Sequence, residues 1–574
     1  MQSQLDRIYA REEIYPWCTD WTIKHPVVKM DHHLVSVKIT SENMPYLGKG
    51  RWVIPVGLLR NRQLKWRAQQ LAWELQDDVE TSACEGHKAR NPQLALKRFK
   101  DRVAREFRNY QKVTQPRIIS AIRTLQKGSD ETMNSETLTE EEIAAEAGLI
   151  NERLDALERK RRDDAYLIGS VRNWLEGETL LKHWVRSARE STPRDTVRAL
   201  RNPLGDVGHK VTQSDEMVGL ARDYHEALLS VDRDPLCEVD QQEFNEITRN
   251  METTLDKGMQ EKMHEDISRE EVANAMKESA NEKSPGLDRI PMEVWKLLHQ
   301  QYGSAKEGER HKFCDIATVL AYVFNDITLH GIMEGTGFNE GWMCPIYKKE
   351  VDNITNYRPI TVLNTNYKIF TKVVATRLSV VAPHLIHPNQ VGFIRGHSIF
   401  DQIEQTAMTI NYVRLKGVNG AIVALNQEKV YDKLTHPYLW KVLEKLKFPE
   451  ESIRMIKALY RDARTLVIIN GVISEPFIVT RGVRQGDPML CILFNLGIEP
   501  LAANIHNSDI KGINVPNLEE SMKVSLFADN TTVILAESNS FSGLTTLLQQ
   551  WCSISGAKFN IEKTEVIPVG SDEY

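Results

Sequence analysis

The acidic residue in the most suggestive sequence context is Asp529. It lies in the turn Ala528-Asp-Asn530, between apolar runs that begin at Val524 and Thr532. Two such runs around a short polar turn predict a β-hairpin, which would hold the carboxylate at a rigid tip. Nucleotidyl transfer by two Mg²⁺ ions requires carboxylates on neighbouring strands. A single Asp at a hairpin tip more often serves the turn itself, so this context alone does not decide between the two roles.

A glycine-bearing loop provides a second candidate. Residues 481–488 spell Arg-Gly-Val-Arg-Gln-Gly-Asp-Pro, directly before an apolar helix predicted over 489–502. Asp487 is predicted to cap that helix, and the proline after it suits the first turn. Gln485 and Gly486 would therefore lie in a loop fixed beside a helix start, where glycine lets the backbone approach a ligand closely.

Arg358 is a third candidate. It stands before a proline in Asn-Tyr-Arg-Pro-Ile, residues 356–360. A residue in this position favours an extended backbone, from which a guanidinium could fork onto a triphosphate. The alternative is a surface ion pair.

Regular elements must position these side chains. The run 421–425 predicts a buried strand, followed by a helix with Thr435 as its N-cap. The apolar runs on either side of Asn470-Gly471 predict a hairpin, and the runs around Asp529 predict another. Strand, helix, hairpin, helix and hairpin in this order predict an α+β domain from about residue 267, arranged like a polymerase palm.

The chain before residue 267 has a different character. Two strands are predicted within residues 1–40, and mostly helical, heavily charged sequence follows over 41–266. We interpret this second stretch as an arm or linker. From residue 88 to residue 127 there are 12 lysines or arginines against two acids, although the whole chain has a net charge of −6. This basic segment could lie against phosphates, and the alternative is a solvated helix face.

Composition narrows the class of protein. Hydrophobic residues make up 41% and charged residues 26% of the 574 residues, which is ordinary for a globular protein of several structural units. The seven cysteines are scattered without a Cys-x-x-Cys pair, which argues against a disulfide framework and against a structural zinc site built on cysteines. With no signal peptide and no transmembrane run in the sequence, we expect an intracellular protein, in the nucleus or the cytoplasm.

Seven motifs in collinear order resemble those of reverse transcriptases from non-LTR (LINE-type) retrotransposons. Together they extend over about 300 residues, and their order is far more specific than any one of them. They are KSPGLD (283–288), PIYKK with NYRPI (345–360), HPNQVGF (387–393), ALNQEKVYD (424–432), RGVRQGDP (481–488), FADN (527–530) and SGAKFNIEKTE (555–565).

The N-terminus carries a separate resemblance. Leu5-Asp-Arg-Ile-Tyr9 and Met30-Asp-His-His-Leu-Val35 resemble the last strands of the apurinic-type endonuclease that precedes such polymerases, with Asp31 and His32 as its closing acid and histidine. The implied domains are an endonuclease remnant (1–40), a charged helical linker (41–266), an N-terminal extension with fingers (267–420) and a palm (421–574). The implied fold is an α+β right-hand polymerase, with the thumb expected to be truncated.

The resemblance assigns roles to individual residues. Asp529 would bind a metal ion, and Tyr431 would stack under the sugar and select deoxyribose. The expected cofactor is Mg²⁺, and the expected partners are an RNA template, a DNA primer or target and a deoxynucleoside triphosphate. The remaining implied contacts to nucleotide, template or phosphates are Arg358, Gln485, Gly486, Lys348 and Lys349, and Lys563 is the implied proton donor to the leaving pyrophosphate.

The sequence departs from the family at two of three metal-ligand positions. Asn426 and Asn530 stand where the resemblance implies aspartates. An amide oxygen can bind Mg²⁺ but brings no negative charge, so we expect weak metal binding and a polymerisation rate reduced by many decades. Asp432 lies beyond the strand end, where capping or an ion pair is the expected role. The alternatives are a non-catalytic remnant that binds RNA or DNA and a remnant that does not fold stably.

Three further positions depart from the family pattern. Asn366 stands where Asp is usual, His397 where Arg is usual, and Arg289 where Gly is usual after Asp288. Each change can arise from a single G-to-A transition in the coding DNA. We therefore hypothesise a decaying element copy that has undergone directional mutation.

Overall fold

The fold comes from a computed structural model, which describes residues 8–24, 34–39, 45–48, 50–85, 91–133, 196–201, 210–230, 239–347, 352–516 and 520–571, with a few more residues between 139 and 159. The predicted endonuclease residues Asp31 and His32 lie outside these residues, as do the predicted phosphate contacts Lys348 and Lys349.

The described strands follow the β-rich stretches of the sequence. They are β1 (Cys18–Lys24), β2 (Leu34–Ile39), β3 (Leu200–Arg201), β4 (Lys210–Val211), β5 (Gly341–Tyr347), β6 (Tyr357–Leu363), β7 (Gly420–Asn426), β8 (Arg464–Ile469), β9 (Val472–Ile473), β10 (Phe477–Ile478), β11 (Val524–Phe527), β12 (Asn530–Ala536) and β13 (Glu565–Val569).

The described helices fill the sequence between the strands. They are α1 (Arg62–Glu85), α2 (Pro92–Met133), α3 (Ser214–Leu229), α4 (Gln241–Ile247), α5 (Lys257–His264), α6 (Arg269–Glu278), α7 (Met292–Ser304), α8 (Ile316–His330), α9 (Thr365–Leu385), α10 (Ile399–Lys416), α11 (Val430–Lys433), α12 (His436–Lys445), α13 (Glu450–Tyr460), α14 (Leu490–His506) and α15 (Phe541–Ser555). Among the described residues, no helix is both long enough and apolar enough to cross a bilayer.

A four-stranded antiparallel sheet has the order β11-β12-β7-β13. Alternate residues of its strands face opposite sides, because successive side chains of a strand point in opposite directions. Val423 and Val533 face the main core, whereas Ile422 and Ile534 face α10. Strand β7 and the β11–β12 hairpin were both predicted, and both are confirmed.

A second sheet has the order β10-β8-β5-β6, with β9 paired to β8. The β8–β9 hairpin forms around Asn470 and Gly471, whose φ angles of 51° and 78° place both residues in the left-handed region that such a tight turn requires. This predicted hairpin is confirmed. Helix α3 covers one face of the sheet through Met217 and Ala221, which are both fully buried.

Helices α1 and α2 lie within the region predicted as a linker, yet they pack into the main core. Leu71 and Val79 of α1 and Phe99 and Phe107 of α2 belong to the same buried cluster as α8, α9 and α14. The interpretation of this region as an arm is therefore wrong for these two helices, because each carries an apolar stripe that needs a partner. The predicted α+β class is confirmed, and the domain boundaries stay a prediction.

Candidate active site at the β7–β12 strand ends

Asn426 and Asn530 lie opposite each other where β7 meets β12. They are register partners in the antiparallel ladder, and the following pair is Leu425 with Thr531. Directly opposite residues of an antiparallel pair point to the same face, with their Cβ atoms about 4.5–5.5 Å apart. The two amides that the sequence placed at ligand positions therefore share one site.

Asp529 adjoins this pair in the turn between β11 and β12. Ala528, before it, has a φ of 53°, and its N–H donates to Oε1 of Gln390 over 2.8 Å. Gly392 lies so close that an added Cβ would stand 2.3 Å from the Ala528 nitrogen. The loop 387–393 therefore holds the acidic turn in place. The sequence analysis assigned no role to Gln390. Its place in the motif HPNQVGF (387–393) was the only indication that it could matter.

Tyr431 places its hydroxyl 3.5 Å from Oδ1 of Asp529. Its ring packs edge-on against Phe494, with ring centroids 5.1 Å apart. Burial raises the pKa of Tyr431 well above its usual value, the Asp529 charge adds to the rise, and the Arg358 charge opposes it. The phenol therefore stays protonated and can donate a hydrogen bond. The predicted nucleotide contact Tyr431 lies beside the predicted metal ligand.

Arg358 lies on the second sheet. It is on β6, paired in register with Ile346 of β5, and its side chain is exposed. Burial is the largest influence on the pKa of Tyr431, and the charge of Arg358 acts against it. The structure therefore brings the predicted acid and phenol into contact, whereas a contact of Arg358 with them stays a prediction.

Gln485 is held by Asp432, an acid that was not predicted to bind metal. Its Nε2 donates to both carboxylate oxygens, over 3.1 and 3.3 Å. Asp432 is 3% exposed, and burial raises its pKa to about 6, against the opposing hydrogen bond from Gln485. Asp432 was predicted to cap a helix or to form an ion pair. It instead accepts these hydrogen bonds, which fix the Gln485 side chain in the 481–488 loop.

Gly486 allows the same loop to touch β6. Its φ is +116°, and a Cβ added there would lie 2.3 Å from the Thr361 carbonyl oxygen. The Thr361 N–H donates to the Gln485 carbonyl over 2.7 Å. Asp487 accepts from the Met489 N–H over 3.0 Å, just before α14 begins, and from the Tyr367 hydroxyl over 2.9 Å. The bond to Met489 lies before the first residue of α14. Asp487 therefore forms an Asx-type turn there and not the predicted helix cap.

Lys563 lies in the short 3₁₀ turn Ile561–Lys563 and is exposed. The residue that starts this turn, Asn560, donates its N–H to the Asn426 carbonyl over 2.7 Å. The turn therefore adjoins the end of β7, while the Lys563 ammonium group makes no hydrogen bond or ion pair with the other described site residues. Its predicted role as a proton donor stays a prediction.

Cys491 is a neighbour that the sequence did not suggest. Burial raises the pKa of its thiol to about 11, and the Asp529 charge adds to the rise. Burial therefore disfavours the thiolate, which is the form of cysteine that binds a metal ion.

The donors at this site do not fit a pair of Mg²⁺ ions. Mg²⁺ prefers carboxylate oxygens, and Asp529 is the one ionisable acid beside the Asn426–Asn530 pair in the described ladder. Among the described residues, the group of three possible His, Cys, Asp or Glu ligands lies elsewhere, at His387, His506 and Glu520. Asn426 and Asn530 can supply oxygen atoms to a cation but no charge to balance it.

Comparisons with known proteins agree with the resemblance noted in the sequence. Residues 346–570 match the family described as "Reverse transcriptase (RNA-dependent DNA polymerase)". This segment contains Asp529, Tyr431, Arg358 and the 481–488 loop.

Three curated proteins illustrate the relationship. The Transposon TX1 uncharacterized 149 kDa protein of Xenopus laevis is 27% identical over 54% of this chain and 23% of its own length. The Pol polyprotein from the type-1 retrotransposable element R2 of Popillia japonica is 26% identical over 39% of this chain and 31% of its own. The probable RNA-directed DNA polymerase from transposon BS of Drosophila melanogaster is 23% identical over 56% and 34%. The matches span about a quarter to a third of these relatives.

Proposed function

We propose that this chain, whose residues 346–570 are a reverse transcriptase domain of the non-LTR retrotransposon type, is a polymerase palm and fingers that no longer catalyses nucleotidyl transfer. In this proposal the palm is residues 421–574 and includes the four-stranded sheet, and the fingers lie within residues 267–420. The family activity is RNA-directed DNA synthesis, in which two divalent metal ions clamp the attacking and leaving oxygens.

The Asn426–Asn530 pair is the observation that supports lost catalysis. A two-metal site holds ions about 3.5–4 Å apart between anionic ligands. Here the strand ends supply two neutral amides, and the adjoining turn supplies one carboxylate, that of Asp529. Two negative charges are missing from the place where Mg²⁺ and a triphosphate must be balanced. Each 1.4 kcal/mol of lost stabilisation lowers the rate about tenfold, so the total loss spans many decades.

The remaining site residues keep their proposed contacts with nucleotide. Arg358 is exposed on β6 and free to fork onto the triphosphate. Tyr431 packs against Phe494, which suits a phenol that lies under the sugar. Gln485 and Gly486 are fixed by Asp432 and Thr361, so the loop that would touch nucleotide and template is already ordered.

Primer extension on an RNA template with Mg²⁺ tests the proposal. The native chain is compared with the double variant Asn426→Asp/Asn530→Asp and with the same variant carrying Asp529→Asn. We expect no extension by the native chain above the level of the triple variant, and measurable extension by the double variant. Robust synthesis by the native chain would overturn the proposal.

A second candidate function is nucleic-acid binding without turnover, and the surface of α2 favours it. Arg105, Arg108, Lys112 and Arg123 are exposed, and their spacing places them on one helical face. Arg105, Lys112 and Arg123 have no acidic partner among the described residues, and Arg108 stacks on Trp52 at 5.7 Å. Unpaired cations in a row along a helix suit a phosphate backbone.

Salt dependence tests this second function. Changing all four residues to Gln should lower the affinity for single-stranded RNA and make the plot of log affinity against log salt shallower by roughly 0.7 per lost phosphate contact. Arg98 and Arg102 make a matched control, since they pair with Asp78 and Glu74 on α1. Their replacement should leave the slope unchanged. An equal change of slope in both variants would contradict the assignment of this face.

A further inference from the structure

Two histidines and a glutamate meet at the start of the 387–393 loop, which holds the acidic turn. His387 follows α9, His506 ends α14, and Glu520 precedes β11. One nitrogen from each ring and one carboxylate oxygen all lie within 4.8 Å of one another. Nε2 of His387 is 3.6 Å from Oε2 of Glu520, and the two imidazole rings stack with their centroids 3.9 Å apart.

Asn389 supplies hydrogen-bond donors to both rings. Its N–H lies 3.2 Å from Nδ1 of His387, and its Nδ2 lies 3.3 Å from Nε2 of His506. Such contacts decide which nitrogen of each neutral imidazole carries the proton, and a cation that binds the ring takes a lone pair in place of one of these donors.

Glu499 provides a second, independent indication that a cation binds in this cavity. The residue is 7% exposed, and its Oε2 has no hydrogen-bond partner among the described residues, while Oε1 accepts from the His387 N–H over 3.3 Å. It lines the same cavity as the three candidate ligands, a solvent-open space of about 450 Å³. A buried carboxylate oxygen without a donor is costly, so this oxygen favours a proton or a cation as its partner.

We propose that His387, His506 and Glu520 bind one Zn²⁺ ion, with the buried Glu499 carboxylate in the same cavity. Two imidazoles and one carboxylate form a donor set that Zn²⁺ accepts with tetrahedral geometry completed by water, whereas Mg²⁺ prefers oxygen donors alone. Zn–N and Zn–O bonds of about 2.0–2.2 Å require donor atoms about 3.3–3.5 Å apart. The side chains must therefore close slightly around the ion, and Glu520, which is 66% exposed, is free to move.

The position of this site suggests a structural rather than a catalytic ion. It joins the end of α9, the end of α14 and the segment that leads into β11. The 387–393 loop pairs with β11, since the Leu526 N–H donates to the Asn389 carbonyl over 2.8 Å. Lys523 lies beside the site: its Nζ donates to the carbonyls of His506 and Ser508, and its charge adds to burial and to His387 in lowering the pKa of His506. An ion here would fasten the base of the hairpin that carries Asp529.

Calorimetric titration of the metal-stripped full chain with ZnCl₂ tests the proposal. We expect one equivalent of Zn²⁺ that MgCl₂ does not displace. Glu520→Gln should weaken this binding roughly tenfold to hundredfold, and His387→Ala/His506→Ala should abolish it. Since Glu520 is on the surface, its variant should fold like the native chain, which circular dichroism checks.

Asp529→Asn is the control that separates this site from the β7–β12 site, and it should bind Zn²⁺ as the native chain does. Co²⁺ substitution separates it from the cysteines, because thiolate ligands give an intense near-ultraviolet band and imidazole with carboxylate does not. Absence of the expected equivalent in the native chain, or equal binding by native chain and Glu520→Gln, would overturn the proposal.

Discussion

Asn426 and Asn530 face each other across the β7–β12 ladder, one residue from the Asp529 carboxylate. The pairing brings together two side chains that are 104 positions apart in the sequence and that can share one cation. Because both are amides, the pair offers oxygen atoms to a cation but no negative charge.

Restoring the two aspartates should make stability depend on Mg²⁺. Without metal, three neighbouring carboxylates repel one another, so Asn426→Asp/Asn530→Asp should unfold at a lower temperature than the native chain. Mg²⁺ at about ten times its Kd should then add about 1.4 kcal/mol of stability to the variant. Thermal unfolding with and without MgCl₂ measures this gain.

A matched control for that experiment is Asn245→Asp/Asn281→Asp, in which both residues are exposed and distant in sequence from the strand ends. It should show no response to Mg²⁺ beyond that of the native chain. An equal Mg²⁺ response in the native chain would contradict the charge argument.

Lys100 should be essential for stability even though it lies in the predicted linker. Its Nζ lies 3.0 Å from Asp288 Oδ2, and both side chains are nearly inaccessible. Lys100→Met leaves that carboxylate buried and unpaired, at an expected cost of about 3–5 kcal/mol. Lys97→Met, which removes an exposed pair with Asp101 one turn away, should cost less than 1 kcal/mol. Denaturant unfolding compares the two, and similar losses would show that α2 is not held as described.

Gly486→Ala should disturb the 481–488 loop. The φ of +116° is unfavourable for alanine, and its Cβ would lie 2.3 Å from the Thr361 carbonyl oxygen. We expect a loss of about 1–3 kcal/mol in the free energy of unfolding. Gly543→Ala in α15 is the control, because no atom lies within 4 Å of its added Cβ, and alanine favours a helix. A loss from Gly543→Ala as large as that from Gly486→Ala would refute the steric explanation.

Asp432 should make stability fall as pH rises through the mildly acidic range. Its folded-state pKa of about 6 exceeds its ordinary value of 3.8, so between these values the folded protein binds a proton that the unfolded chain has released. The free energy of unfolding therefore decreases from about pH 4 to about pH 6 and is level above that window.

The variant Asp432→Asn removes this contribution while keeping an oxygen that can accept from Gln485. It should be more stable than the native chain at pH 7.5 and closer to it at pH 4.5. Chemical denaturation at both values measures the difference. A variant that is equally stabilised at both pH values would show that the Asp432 carboxyl is not the group responsible.

Local signals in the sequence were sufficient for the elements that hold the site. Apolar runs predicted β7 and the β11–β12 hairpin, because the pattern of apolar residues along a strand shows which of its faces are buried. The pair Asn470-Gly471 predicted the other hairpin, because these residues adopt the positive φ angles that its turn requires. The helix predicted to begin after Thr435 spans His436–Lys445.

Contacts between distant segments could not be predicted in the same way. The partnership of Asp432 with Gln485 joins residues 53 positions apart, and a buried acid that pairs with an amide leaves no periodic signal. The docking of α2 through Lys100 onto Asp288 joins residues 188 positions apart. The charges on α2 were visible in the sequence, whereas the partner of its apolar stripe was not.

The structure gives physical meaning to two departures from the family pattern. Arg289 has a φ of 68°, which explains why glycine is usual there, and its charge joins burial in lowering the pKa of Arg51. Asn366 has a buried Nδ2 without a partner, while its Oδ1 lies 3.3 Å from Lys100 Nζ. An aspartate at that position would have no such orphaned donor.

Counting the metal ions beside Asp529 tests most directly whether the two amides prevent metal binding. Crystals of the native chain with primer–template and a deoxynucleoside triphosphate would be grown in Mn²⁺, whose anomalous scattering identifies each ion. We expect no ordered pair of ions beside Asp529, and a pair about 3.5–4 Å apart in Asn426→Asp/Asn530→Asp. Two well-ordered ions in the native chain would contradict the claim that the missing charge has silenced this polymerase.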